Sequence, residues 1–268
     1  MMGVVNVTSD SFSGDGTGDD VDRAVGQAVR FDEWGADIID VGGESTRPPS
    51  IYSGAKPVSL EEELSRVVPV IEAMVAAVHV PISIDTYKAR VAEKAITAGA
   101  SMVNDVWALQ RDPDIAGVVA ESGLPVVLMH NQQGTDYDDL VPDVITRLRE
   151  LVRAGVEAGI REENIVVDPG MGFGKDAEQN LEIMRRFDEF DELGRPILVG
   201  MSRKSTIGYV LDLPVDERLE GTAATVALSI ARGADIVRVH DVKEMVRVAR
   251  MSDAIVRGWK MDTDAPRP

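Results

Sequence analysis

The chain has 268 residues, 44% of them hydrophobic, no cysteine, and a formal net charge of -18 from 46 acids against 28 lysines and arginines. This excludes a disulfide framework, a thiol nucleophile and a thiolate metal site. It also argues against nucleic-acid binding, which needs a basic footprint. No apolar run is long enough to span a membrane and no signal peptide is read, so the cytoplasm is the expected compartment.

In chain order, apolar β-rich runs alternate with amphipathic helical stretches. Strands are predicted at 3–7, 38–41, 82–85, 102–105, 126–129, 165–168, 197–200 and 236–239. Helices are predicted near 20–34, 59–77, 88–98, 113–122, 140–158, 176–190, 216–232 and 242–257. The joints "EWGADIIDV", "ITAGASMVNDV" and "ARGADIVRVHD" repeat one pattern: a helix end, a glycine, a small residue, then a strand. Glycine there suits a left-handed helix cap. Continuous apolar strands separated by helices imply a parallel sheet covered on both faces. Eight such units predict an α/β fold, a (β/α)8 TIM barrel forming a single domain over 1–268, with 258–268 as a loose tail. A doubly wound open sheet is the competing arrangement.

A parallel barrel carries its active site at the C-terminal ends of its strands. Those ends read "NVTSDSF", "DVGGESTRP", "SIDTYK", "VNDVW", "VLMHN", "VVDPG", "VGMSRKS" and "VRVHD". Any one polar tip has a bland reading: Asp85 or Asp105 as a helix cap, Asn6 in a turn, Arg238 in a rim ion pair. Eight polar tips together are not needed for stability. Asp85, Asn104 and Asp168 suit a flat heterocycle with several N–H donors. Arg47, Lys204, Arg238 and His240, with hydroxyls at Ser45, Thr46, Ser202 and Ser205, suit phosphate or diphosphate. Asn6 offers a neutral oxygen to a hard cation such as Mg²⁺. The three histidines lack zinc-type spacing, and His79, away from the tips, is read as structural. "DPGMGFGK", 168–175, is neither a P-loop, since Pro169 stands where the first glycine belongs, nor a dinucleotide fingerprint, since its spacing is G-x-G-x-G. It reads as a strand delivering Asp168 to its tip, followed by a tight loop.

"GVVNVTSDSFSGDG", "DVGGESTRP", "PISIDTYK", "VNDV", "DPGMGFGK", "VGMSRKSTIG" and "VRVHDV" resemble, in order, the motifs of the dihydropteroate synthase family of the folate pathway. The resemblance runs from Gly3 to about Trp259. It implies a transferase that joins a 6-hydroxymethyl-7,8-dihydropterin diphosphate to 4-aminobenzoate, releases diphosphate, uses Mg²⁺ and is blocked by sulfonamides. It implies a pterin site at Asp85, Asn104, Asp168 and Lys204, walled by Met129, Phe173 and Gly200. The diphosphate would meet Asn6, Thr46, Arg47, Arg238 and His240, with Asn6 as metal ligand. The aminobenzoate would meet Phe12, Thr46, Pro48, Phe173, the Lys204 stem and Ser205. Lys204, Asp85, Arg238 and His240 carry catalysis in this reading, and a homodimer is expected.

The chain departs from the family pattern at Ser9, where proline is common, and at Gly14-Asp15, which leaves open whether Asp10 or Asp15 serves the first loop. Its second loop is longer than the commonest form. Two rivals share part of the site: a pterin-binding barrel that passes a methyl group to a corrinoid partner, and a barrel that binds pterin without turnover. The first does not require "SRKS" or "VRVHD"; intact Arg47, Lys204 and Arg238 argue against the second.

Overall fold

The computed structural model describes residues 1–8, 21–45 and 58–260. The strands are β1 (Met2–Asn6), β2 (Ile38–Gly42), β3 (Ile82–Asp85), β4 (Met102–Asp105), β5 (Val126–Met129), β6 (Ile165–Asp168), β7 (Leu198–Val199) and β8 (Ile236–Val239). Every pairing is parallel, in the order β6-β5-β4-β3-β2-β1-β8-β7. A parallel bridge between Val167 and Ile197 joins the two outer strands, and the Val167 N–H donates to the Pro196 carbonyl at 2.9 Å. The sheet therefore closes into a barrel, and the open-sheet alternative fails.

Around it lie α1 (Val21–Trp34), α2 (Leu60–Val75), α3 (Ala89–Ala98), α4 (Asp114–Ser122), α5 (Leu140–Glu157), α6 (Ala177–Arg185), α7 (Ser205–Leu211), α8 (Leu219–Ala231) and α9 (Val242–Val256). The three repeated joints turn as expected, with left-handed glycines at Gly35, Gly99 and Gly233. Two expectations need correction. The helix predicted over 176–190 stops at Arg185, and Phe187–Leu193 continues as a 3-10 helix. Residues three apart eclipse in that tighter form, which lets Phe187 and Phe190 both bury fully with ring centroids 5.8 Å apart. The sequence also hid α7, whose β-branched Thr206, Ile207 and Val210 and central Gly208 weaken local helix propensity; α7 packs on α6 and α8.

Side chains alternate across each strand. The outward set, with the inner helix faces, forms the main apolar core. The inward set begins with a second, smaller cluster of Met2, Met102, Val127, Val166 and Leu198, flanked by Ile38 and Ile236. Two residues further along, the inward positions include Asp40, Asn104, Asp168 and Arg238, and Asp85 follows Ser83 on β3 at the level of Asn104.

Candidate active site

A pocket at the C-terminal mouth is lined by Asn104, Met129, Asp168, Phe173, Gly200 and Lys204, together with Val106, Ser202, Arg238 and His240. The family resemblance implied a place around the pterin ring for all of the first six. Asp85 lies beneath them, buried.

Arg238 organises the buried side of the pocket. Its Nε donates to Asp40 Oδ2 at 2.6 Å and its Nη2 to Asp85 Oδ2 at 2.7 Å. Asp40 Oδ2 also accepts from Asn104 Nδ2 at 3.0 Å, which orients that amide. Two carboxyl groups thus share one guanidinium inside a barrel. Burial pushes the Asp85 carboxyl up to about 8; Arg238 opposes this, and Asp40 adds to it. Burial works against the charge of Arg238, but Asp40 and Asp85 outweigh it and hold the guanidinium ionised. Asp40 Oδ1, Ser83 Oγ and Asp85 Oδ1 are buried with no hydrogen-bond partner among the described residues. Arg238 is therefore not a rim residue, and its ion pairs lie within the barrel.

Asp168 ends β6, and its Oδ1 accepts from Gly170 N–H at 2.7 Å. Burial raises its carboxyl above the ordinary range. Gly170, Gly172 and Gly174 all take left-handed φ, of 72°, 75° and 61°. At Gly170 a Cβ would sit 1.9 Å from the His130 carbonyl oxygen, so no other residue fits. The loop brings Phe173 to the pocket wall, where Lys204 Nζ lies 4.8 Å from its ring centroid. Lys204 also donates to the Met171 carbonyl. Arg203, just before it, is held at φ 57° by an ion pair with Asp241, and its carbonyl accepts from Arg218. A non-glycine residue at positive φ is uncommon and marks local strain; here it sits in the turn that delivers Lys204.

His240 Nδ1 lies 3.0 Å from Ser202 Oγ, which also accepts from the His240 backbone N–H at 3.2 Å. Ser202 thus holds the imidazole at the mouth. Ser205 opens α7. Asp105 points outward and accepts from Trp107 and Leu109 N–H at 2.8 and 2.7 Å, which makes it a turn clasp. His79 lies away from the pocket, on Asp32 at 3.0 Å. Phe12, Thr46, Arg47 and Pro48, and the two candidate acids Asp10 and Asp15, fall outside the described residues.

Three groups escaped the sequence reading. Asp40 was legible as an acid inside the apolar run "IIDVG" with inward parity. Lys175 was counted only against the P-loop pattern. Lys88 is half-buried between Glu63 at 2.5 Å and Glu44 at 2.8 Å, and also donates to the Val58 carbonyl at 2.7 Å. Its partners are far apart in sequence, so no local pattern announces them.

The pterin binding enzyme family matches residues 2–240. A dihydropteroate synthase of Bacillus subtilis (strain 168) is 52% identical over 96% of this chain and 88% of its own length. The chain belongs to the dihydropteroate synthase family. Solved structures agree. Yersinia pestis dihydropteroate synthase with a sulfonamide drug superposes with a TM-score of 0.89 at 41% identity, covering 95% of this chain and 92% of that one. Xanthomonas albilineans dihydropteroate synthase in complex with 7,8-dihydropteroate gives a TM-score of 0.85 at 42% identity, over 95% and 92%. Both match across the barrel that carries the pocket.

Proposed function

We infer that this chain condenses 6-hydroxymethyl-7,8-dihydropterin diphosphate with 4-aminobenzoate, giving 7,8-dihydropteroate and diphosphate. The observation that carries the reading is the convergence of Asn104, Asp168 and Lys204 with Arg238 and His240 on one pocket. Acceptors suited to a donor-rich ring edge adjoin cations suited to an anion. A corrinoid methyl transfer would have no use for the second set.

Asn104 and Asp168 hold the ring edge, with Met129 and Phe173 as walls. The bond between the pterin methylene carbon and the diphosphate oxygen breaks first, with its electron pair leaving on the diphosphate. Arg238 and His240 stabilise that developing charge. Asp85 and Asp168, where ionised, favour the electron-poor ring left behind. The aminobenzoate nitrogen then bonds to the methylene carbon and releases a proton. An aromatic amine is already nucleophilic, so no strong base is required. The Lys204 stem and Ser205, with Phe12, Thr46 and Pro48, complete the aminobenzoate side in this reading, and Thr46 and Arg47 join the diphosphate side.

Asn6 fits a Mg²⁺ ion that arrives on the diphosphate. Its register partner is Gly42, where a Cβ would lie 3.9 Å from Asn6 Oδ1 and 3.6 Å from Asp85 Cβ, so the missing side chain keeps that space open. Among the described residues no group of three or more acids and histidines could hold a metal alone, and Mg²⁺ commonly binds through substrate phosphate with one or two protein oxygens. When bound, it would neutralise charge on the leaving group.

A homodimer belongs to the same reading. It is supported by the apolar residues left exposed on neighbouring helices: Tyr209 and Val210 on α7, Leu228 on α8, Met251 and Ile255 on α9. No helix of the described residues is long and apolar enough to cross a membrane, and a cytoplasmic enzyme is proposed.

Diphosphate release, measured with and without 4-aminobenzoate, tests the function. Release that depends on both substrates is expected. Binding of the dihydropterin without release would favour the non-catalytic barrel.

A further inference from the structure

The lysine that closes "DPGMGFGK" takes no part in the chemistry above. We propose that Lys175 is a positioning residue: its buried ammonium is the template on which loop 169–174 folds, and through that loop it sets Phe173, Asp168 and Lys204 against the pterin. The proposal rests on the reading that this pocket takes a pterin.

Lysine is almost never fully buried unless it is paired, yet Lys175 is only 4% exposed. Among the described residues no carboxylate bonds to it. Its Nζ donates to the carbonyls of Gly170 at 3.1 Å and Phe173 at 2.9 Å, and lies 2.9 Å from His130 Nδ1. An ammonium has three protons to give and no acceptor, so three acceptors satisfy it. Where Lys175 is charged, as it is below neutrality since burial lowers its pKa to about 7, His130 accepts at Nδ1 and carries its own proton on Nε2. Burial keeps that ring neutral, since it lowers the imidazolium pKa to about 3. The loop thus wraps its own cation, and the left-handed glycines let two of its carbonyls turn inward to reach it.

Two of these contacts continue into the pocket. Gly170 gives its carbonyl to Lys175 and its N–H to Asp168 Oδ1. Phe173 gives its carbonyl to Lys175 and its ring to the wall beneath Lys204. Met171, between them, offers the carbonyl that takes Lys204 Nζ. The loop's outer side is fixed separately: Gly172 N–H donates to Asn180 Oδ1 at 2.8 Å, and Tyr137 Oη donates to the Gly174 carbonyl at 2.8 Å. Those anchors would hold the loop in place without the ammonium. The Lys175 contacts are the ones that aim it.

Lys175→Met keeps an unbranched, flexible side chain one atom shorter and removes every donor. Lys175→Gln is the milder variant, with a neutral donor. Calorimetry on both would compare affinity for 6-hydroxymethyl-7,8-dihydropterin with affinity for inorganic diphosphate plus Mg²⁺, alongside the melting temperature. The expected result is pterin binding weakened about tenfold to a hundredfold, the loss associated with charge-assisted hydrogen bonds, and diphosphate binding unchanged. A merely structural lysine would weaken both ligands together or lower only the melting temperature, and either result overturns the proposal. So does pterin affinity equal to wild type, or failure of both variants to fold. A wild-type chain that does not bind the pterin overturns the pocket assignment itself, and the proposal with it.

Discussion

The barrel interior holds two layers that differ in everything except the strands that build them. The floor is Met2, Met102, Val127, Val166 and Leu198, an apolar plug. One inward position further along lie Asp40, Asn104, Met129, Asp168 and Gly200, mostly polar and tied to Arg238 or open to the pocket. A step of two residues, about 6.6 Å of strand, separates packing from chemistry. The floor is what a closed barrel needs. The mouth carries buried charges that a barrel meant only to be stable would lack, since replacing buried ion pairs with apolar side chains is often neutral or stabilising. Stability and function should therefore respond to different substitutions on the same strand.

The strongest test of that separation is Leu198→Ala. Leu198 is fully buried in the floor, and truncation of such a side chain costs about 2–5 kcal/mol through lost transfer energy and the cavity left behind. Denaturant unfolding should show that loss, while pterin affinity at a temperature where the variant is folded stays at the wild-type level. A variant that kept its stability and lost its ligand would show that the layers are not separable.

Asp168→Asn is the mirror experiment. The amide puts a donor where the ring edge needs an acceptor, and losing a buried charged hydrogen bond costs about 2–3 kcal/mol. Calorimetry should show that loss in pterin affinity. The fold should change by no more than about 1 kcal/mol, because the shape is kept and burial already disfavours the carboxylate. Unchanged pterin affinity would remove Asp168 from the site.

The two layers were not equally legible in the sequence. Strand positions, the eight units and the tip residues Asn104 and Asp168 were readable because apolar β-rich runs and the strand-tip rule act locally; Met129, Phe173, Gly200 and the place of Lys204 at the ring came from the family resemblance. Six residues assigned to the pterin side do line one pocket. The deeper half of the mouth was harder. Asp40 gains its meaning from Arg238, 198 residues away, and Asp85 from the same guanidinium, 153 residues away. Lys175 was visible but misfiled, because two of its three partners are backbone carbonyls, which carry no side-chain signature, and the third, His130, lies 45 residues away. The α7 helix was missed because its packing on α6 and α8, not its propensity, forms it. Local rules recovered elements and tips; ion pairs across the barrel needed the closed structure.

The finest test of the comparison concerns the charge stored beneath the pocket. Burial holds Asp85 protonated up to about pH 8 in the folded state, whereas an unfolded aspartate releases its proton near about 4. Between those values the folded chain binds a proton that the unfolded chain has lost. Stability from this group therefore falls as pH rises through that window. Two other groups run the opposite way: burial lowers His130 to about 3 and Lys175 to about 7, so each favours the folded state more as pH rises, His130 below about 6.5 and Lys175 above neutrality up to about 10.5. Both remain in Asp85→Asn, so they cancel in the difference between the two proteins. The stability of the ligand-free wild type, minus that of the variant, should shrink as pH rises from about 5 to about 8, by on the order of 1 kcal/mol per unit. Parallel melting curves across that range check it. A flat difference would mean that Asp85 stays ionised beside Arg238. The mouth would then hold two full carboxylates against one guanidinium, and its contrast with the dry floor would be greater still.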